Sequence, residues 1–278
     1  MSIYDTFHYG YDPSIAEPAE LTTPALPATL PAAAAVNSNW LPPVGHQTMP
    51  NCFVWSSVYG IATFWAAQIS KQSPSTSALQ ASPDYAYIQV EVATKVPQDT
   101  CHGGQITACL NWLIANDGAP SLATAPDIGA TQTETSCEGN WAAYGPPKPP
   151  LPADKRFAIP GFKATSVKGD AGLNNLRAVI VSGIPLAYGT WLYTDFPPYQ
   201  GTPSPYVGNG EWLYNKTTQK KAGHCMMIIG YDDNKGAVLI QNSFGTTWGS
   251  SGLIWMAYHT FNAMAQGTGF YIPSPNVL

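Results

Sequence analysis

The sequence predicts an α+β protein, and three observations carry that prediction. Apolar patterns of helical period occupy the first half, while strand-like runs separated by turn residues occupy the second. The chain has 278 residues with 45% hydrophobic content, enough to bury one large core or two modest lobes sharing an interface. Charged residues make up 10% and aromatic residues 12%, so neutral polar side chains must carry much of the solubility, and chain-wide disorder is not expected.

In chain order, residues 1–36 are rich in Ala and Pro and show neither helical nor strand period. They read as an extended arm lying on the surface. From Asn51 an apolar run follows (Phe53, Val54, Trp55, Val58, Ile61, Phe64, Trp65), expected to be a buried helix with Asn51 as its cap and Cys52 in its first turn. Ser56, Ser57, Tyr59, Gly60, Thr63 and Gln68 interrupt the apolar character, which argues against a membrane span. A second helix is expected from near Gly104 through Leu113, stopped at Asn116-Asp117-Gly118. Residues 119–155 read as a Pro/Thr/Gly-rich loop ending in Pro149-Pro150, the expected lobe boundary. The predicted organisation is therefore an arm over 1–36, a helical lobe over 37–155 and a β-rich lobe over 156–278. Within the last, 171–182 has the pattern of a short amphipathic helix. The runs 184–192, 225–231, 237–241 and 252–258 read as strands.

Composition also excludes functions. The net charge is −5, with 17 acidic and 12 basic side chains scattered along the chain, so no basic run is available to neutralise phosphates and nucleic acid is not an expected partner. The five cysteines lack C-x-x-C spacing, and no metal site or cofactor is expected. An odd count leaves at least one thiol unpaired within the chain. Residues 1–11 have no basic segment leading into an apolar one, so no secretory signal is read there, and the compartment is left open.

A cysteine in the first turn of a helix sits where unpaired backbone N–H groups and the helix dipole favour its thiolate. Such a nucleophile needs a base, and the base needs an orienting partner. His224 opens one predicted strand and Asn242 closes another, so adjacent antiparallel strands would bring them together. Taken singly, Cys52 reads as a small core residue, His224 as a satisfied core histidine and Asn242 as a turn residue. Their joint pattern favours chemistry.

Gly223-His224 with Gly230-Tyr231-Asp232, followed by Asn242-Ser243-Phe244-Gly245-Thr246-Thr247-Trp248-Gly249, resembles the histidine and asparagine motifs of the papain family, especially its bacterial branch. Gln47 with Cys52-Phe53-Val54-Trp55-Ser56 is similar to the family's nucleophile motif, and Cys101-His102-Gly103-Gly104 to its Cys-x-Gly-Gly turn. The resemblance covers about residues 40 to 275 and implies a papain-like fold of two lobes, one helical and one an antiparallel β-barrel-like lobe, with the active site between them. It implies Cys52 as nucleophile, His224 as general base, Asn242 as orienter, and Gln47 with the Cys52 N–H as oxyanion donors. Phe244 would shield the His–Asn hydrogen bond and Trp248 would wall the leaving-group side. Gly103, Gly104, Gln105 and Gly223 would line the substrate, with an apolar side chain expected in the main specificity pocket.

The implied activity is a monomeric cysteine peptidase acting on a peptide or protein substrate. The competing readings are a silent peptide-binding homologue or an acyl transferase. Departures are present. The Gln47–Cys52 step is one residue shorter than in papain, Phe53 and Phe244 stand where tryptophans are usual, and the family's disulfide partner for Cys101 is missing. Cys101 and Cys137, both in first-lobe loops, are the alternative pair, while Cys109 and Cys225 read as core residues. His224 and Asn242 also fall later than the roughly 130–150 positions after the cysteine in the family signature. The 193–214 segment and the Pro-rich run are the expected insertions.

Overall fold

The computed structural model describes residues 10–11, 19–128, 134–215 and 219–273. Helix α1 (Cys52–Ser70) is 19 residues long and apolar enough to span a bilayer, but most of it is buried inside the protein, as suits a central core helix. Its stretch Trp55–Ala62 is wound as π-helix. Around it lie α2 (Pro83–Ala93), α3 (Ile106–Ala115) and α4 (Glu134–Tyr144). Pro83 at the first position and the Ser82 hydroxyl, which accepts from Tyr85 N, start α2.

The second half forms one antiparallel sheet in the order β2-β7-β3-β4-β5-β6, from β2 (Lys163–Ser166), β3 (Leu186–Trp191), β4 (Gly223–Asp232), β5 (Ala237–Gln241), β6 (Leu253–Ala257) and β7 (Ala265–Tyr271). It is an open antiparallel sheet and not a closed barrel. Helix α5 (Gly169–Val181) packs on it and α6 (Tyr258–Met264) joins β6 to β7. β4 is buried along nearly its whole length because α1 covers it on the side of the helices, which is why its sequence is a continuous apolar run instead of an alternating one.

Three sequence expectations need correction. The arm is not simply a surface strap. Its Ala33–Ala35 segment forms strand β1, pairing antiparallel with the far end of β4 from Ala33 opposite Asp232 to Ala35 opposite Gly230. Three small alanines carry no alternation to read, and the pairing is dictated by the unpaired edge left where β3 ends. Within residues 119–155, Glu134–Tyr144 is helix rather than loop. Its anchors are tertiary: Trp141 Nε1 donates to Thr100 O at 2.7 Å, Asn140 Nδ2 to Ile128 O at 2.8 Å, and Cys137 is bonded to Cys101. No amphipathic period was needed, so none was legible. Finally, Asn51 makes no side-chain cap on α1, because its Nδ2 donates to the buried Asp84 at 2.9 Å.

Strands β2 and β7 and helices α2 and α6 were not read from the sequence. Ala265-Gln266-Gly267-Thr268-Gly269 has too little apolar content to announce a strand, and its place is decided by pairing with β2 and β3.

Candidate active site

The β4–β5 ladder runs from Met227 opposite Gln241 to Asp232 opposite Ala237. One residue past its end, Asn242 turns its side chain toward His224, which sits on β4 opposite Thr190 of β3. Asn242 Oδ1 accepts from Ser243 N at 2.8 Å, which fixes the amide's orientation, and lies 2.7 Å from His224 Nε2. An amide oxygen only accepts, so Nε2 carries hydrogen and Nδ1 is the ring atom available for proton exchange. The Phe244 ring lies 4.6 Å from the imidazole at 31°, close to parallel, and excludes water from the bond.

Cys52 opens α1 and is buried, with His224 among the groups acting on its sulfur. Burial by itself would push its thiol up. Against that, hydrogen bonds from the Cys225 thiol and N–H, together with the charge and hydrogen bond of His224, hold it well below the ordinary thiol range. His224 Nδ1 makes no hydrogen bond of ordinary geometry in this resting arrangement. The ring is nevertheless near enough to the sulfur to favour the thiolate, and such contacts tighten when substrate binds.

Gln47 joins the two halves. Its N–H donates to Ser243 O at 2.9 Å, its Oε1 accepts from Ser243 Oγ at 2.6 Å, and its Nε2 donates to Met49 O at 3.2 Å. Gly245 N donates to Gly45 O at 2.9 Å, so residues 45–47 and 243–245 run side by side. Gln47 itself is buried at this junction. Asp84, behind Asn51, is held well above the usual carboxylate range by burial and by the Asp127 carboxylate, and it braces the residue preceding the thiol.

Trp248 is buried and packs edge-on to Phe244 at 5.7 Å, with its Nε1 donating to Phe196 O at 3.1 Å. Phe196 and Tyr199, in the 193–214 segment, pack against that indole, and Tyr206 packs against both of them. Sequence reasoning treated this segment as extra loop. Its run of aromatics was the only signal that it builds a wall.

Gly103, Gly104 and Gly223 face the cleft, and a short piece of the chain's own arm lies between them. Gly104 N donates to Gly10 O at 2.8 Å, and Tyr11 N donates to Gly223 O at 3.4 Å. The Tyr11 ring fills the space over Gly189, where a Cβ would come within 2.4 Å of it. Gly104 is needed for a separate reason, since a Cβ there would meet the Phe53 ring at 2.5 Å. Gln105 sits just before α3 and makes no cap hydrogen bond. With Gly10 and Tyr11 in place, Cys52 and His224 are both 0% exposed. The arm expected to lie on the surface thus has a segment seated in the cleft. Nothing in the arm's composition signals it, because the contacts among the described residues are backbone hydrogen bonds and the Tyr11 ring.

Among the other singled-out residues, Cys101 and Cys137 are joined in a disulfide and Cys109 is buried in α3. His102 and His259 are exposed.

The model of the papain family cysteine proteases matches residues 52–271. The fold is similar to that of xylellain, a cysteine protease from Xylella fastidiosa, with a TM-score of 0.69 and 20% identity over 96% of each chain. It is also similar to digestive procathepsin L 3 of the Tenebrio molitor larval midgut, with a TM-score of 0.64 and 16% identity over 98% of this chain and 78% of that one. A peptidase C1-like protein of Acanthamoeba polyphaga mimivirus is 24% identical over 89 residues, which is 32% of this chain and 27% of that protein's length.

Proposed function

Because the chain belongs to the papain family of cysteine proteases, we propose that it is a cysteine peptidase that hydrolyses peptide bonds through an acyl-enzyme on Cys52. The observation that carries this reading is the convergence of a depressed Cys52 thiol, the His224 imidazole and the Asn242 amide across one cleft.

In this mechanism the Cys52 thiolate attacks the scissile carbonyl carbon. The oxyanion is met by the Cys52 N–H at the start of α1 and by the Gln47 side chain, which would turn one amide hydrogen toward it. His224 gives its Nδ1 proton to the leaving amine, then takes a proton from water as that water attacks the thioester, while Asn242 Oδ1 holds the ring through Nε2. Phe244 keeps this last bond dry. The extended backbone of Gly10–Tyr11 supports the reading of the cleft as a peptide site, since it uses the Gly104 N–H and the Gly223 carbonyl as a substrate strand would. Gly103, Gln105 and Trp248 complete the proposed lining, and the pocket over Gly189 would take an apolar side chain.

Labelling with a thiol-directed epoxide, together with cleavage of a peptide library, tests the proposal. Labelling at Cys52 that is lost in Cys52→Ala and His224→Ala, with hydrolysed products, supports it. No labelling at neutral pH would leave a peptide-binding homologue instead, and amine adducts in excess over hydrolysis products would indicate acyl transfer.

A further inference from the structure

The reactive sulfur has a second thiol beside it. Cys225 follows His224 on β4, is buried, and lines one cavity with Ser56, one turn along α1 from Cys52, and with Asn242; its N–H and thiol are among the groups that lower the Cys52 thiol. Cys101 and Cys137 are already bonded to each other, and Cys109 lies in the core helix α3. The residue opposite Cys225 in the β3–β4 ladder is Gly189, so no β3 side chain stands between Cys225 and the cleft. The space there is filled by the Tyr11 ring, and it opens when that segment leaves.

We propose that Cys52 and Cys225 form a reversible oxidation site, closing into an intramolecular disulfide when the uncovered cleft meets hydrogen peroxide. The proposal rests on the reading of Cys52 as the reactive thiolate. In the first step the Cys52 sulfur attacks a peroxide oxygen, the O–O bond breaks, and a sulfenic acid and hydroxide form. In the second, the Cys225 sulfur attacks the sulfenic sulfur, the S–O bond breaks, and the S–S bond forms, the departing hydroxide leaving as water with the Cys225 proton. Two electrons pass from the thiol pair to peroxide. The disulfide would silence the nucleophile and also protect it, because a sulfenic acid captured by a neighbouring thiol does not proceed to the irreversible sulfinic acid.

The test uses the full chain. Reduced protein is treated with hydrogen peroxide, remaining thiols are alkylated, and unreduced digests are read by mass spectrometry. The expected result is a linked pair of peptides carrying residues 52 and 225, with epoxide labelling of Cys52 falling by about tenfold or more and returning after dithiothreitol. In Cys225→Ala and Cys225→Ser, peroxide should drive Cys52 to the sulfinic acid, and labelling should not return. Cys109→Ala should leave the linked pair in place. Wild-type protein that gives sulfinic Cys52 without the linked peptides, or variants that recover as fully as wild type, would overturn the proposal. A linked pair in a protein whose reduced form cleaves no peptide would retain the thiol pair and remove the peptidase reading, and cleavage without a linked pair would do the reverse.

Discussion

The two sides of the cleft reach the same point by different means. On the sheet side, His224 and Asn242 are brought together by one β4–β5 ladder, so their 2.7 Å contact follows from strand register, and a one-residue slip would turn the imidazole to the opposite face. On the helix side, Cys52 depends on contacts distant in sequence. Asn51 is braced by Asp84, Gln47 is tied to Ser243, and Gly10 lies beside Gly104. The base is therefore positioned by regular structure. The nucleophile is positioned by a set of single side-chain and loop contacts, which makes the helix side easier to perturb without unfolding the protein.

The strongest way to break that comparison is to remove the groups that meet. Cys52→Ala and His224→Ala should each lower peptide cleavage by about 10³-fold or more, measured as kcat/KM, with melting temperature changed little. In wild type, epoxide labelling of Cys52 should persist well below the ordinary thiol range and fall as pH drops through its depressed pKa, because protonation removes the thiolate. Labelling that instead rises only toward pH 9 would mean the His224 and Cys225 contacts do not act on the sulfur.

Gln47→Ala separates joining from catalysis. Loss of an oxyanion donor should lower kcat by about 10²-fold, whereas Ser243→Ala, which removes only the hydroxyl anchoring Gln47, should cost less. Equal losses would make the Gln47–Ser243 tie a structural brace.

Removing residues 1–18 sharpens the account of the helix side. With Gly10 and Tyr11 gone, the rate of Cys52 labelling should rise by about tenfold, as expected if the cleft is open only a tenth of the time in the full chain. An unchanged rate would mean that the segment leaves the cleft freely.

The smallest expected effect concerns the support of the Gly103-Gly104 turn. Tyr87 Oη donates to His102 O at 2.8 Å, and the buried Glu91 accepts from the His102 N–H. Burial pushes the Glu91 carboxyl up to about 8. Its folded form thus holds a proton that the unfolded chain releases above about pH 4.3. Its contribution to stability is complete below that value and is lost as pH rises toward 8. Glu91→Gln, always neutral, should raise the melting temperature by a few degrees at pH 8 and leave it nearly unchanged at pH 4. A shift of the same size at both pH values would point to packing instead of ionisation.

The legibility of the chain follows the same division. β4 and β5 were readable because long apolar runs bounded by Asp233-Asn234 and Asn242-Ser243 leave few alternatives, and α1 and α5 because their apolar periods are strong. α4 was not, since Glu134-Thr135-Ser136 and Gly139 dilute any period and its anchors are Thr100, Ile128 and Cys101. β1 is three alanines, and β7 contains two glycines. Asn51 looked like a cap from local spacing, but its Nδ2 is tied to the buried Asp84, which fixes the amide in an orientation that makes no cap.

The sequence by itself determined which residues could act. A cysteine opening an apolar helix, a histidine and an asparagine at strand ends, and the glycines of a close-approach turn are all local chemical choices, legible as residue types at positions. Only the tertiary structure decided that Gly10 and Tyr11 cover the cleft, that the 193–214 aromatics wall Trp248, and that Cys225 lines one cavity with the helix Cys52 opens. Those contacts join segments far apart in the chain through backbone hydrogen bonds and shared volume, which leave no period, spacing or composition in either segment to be read in advance.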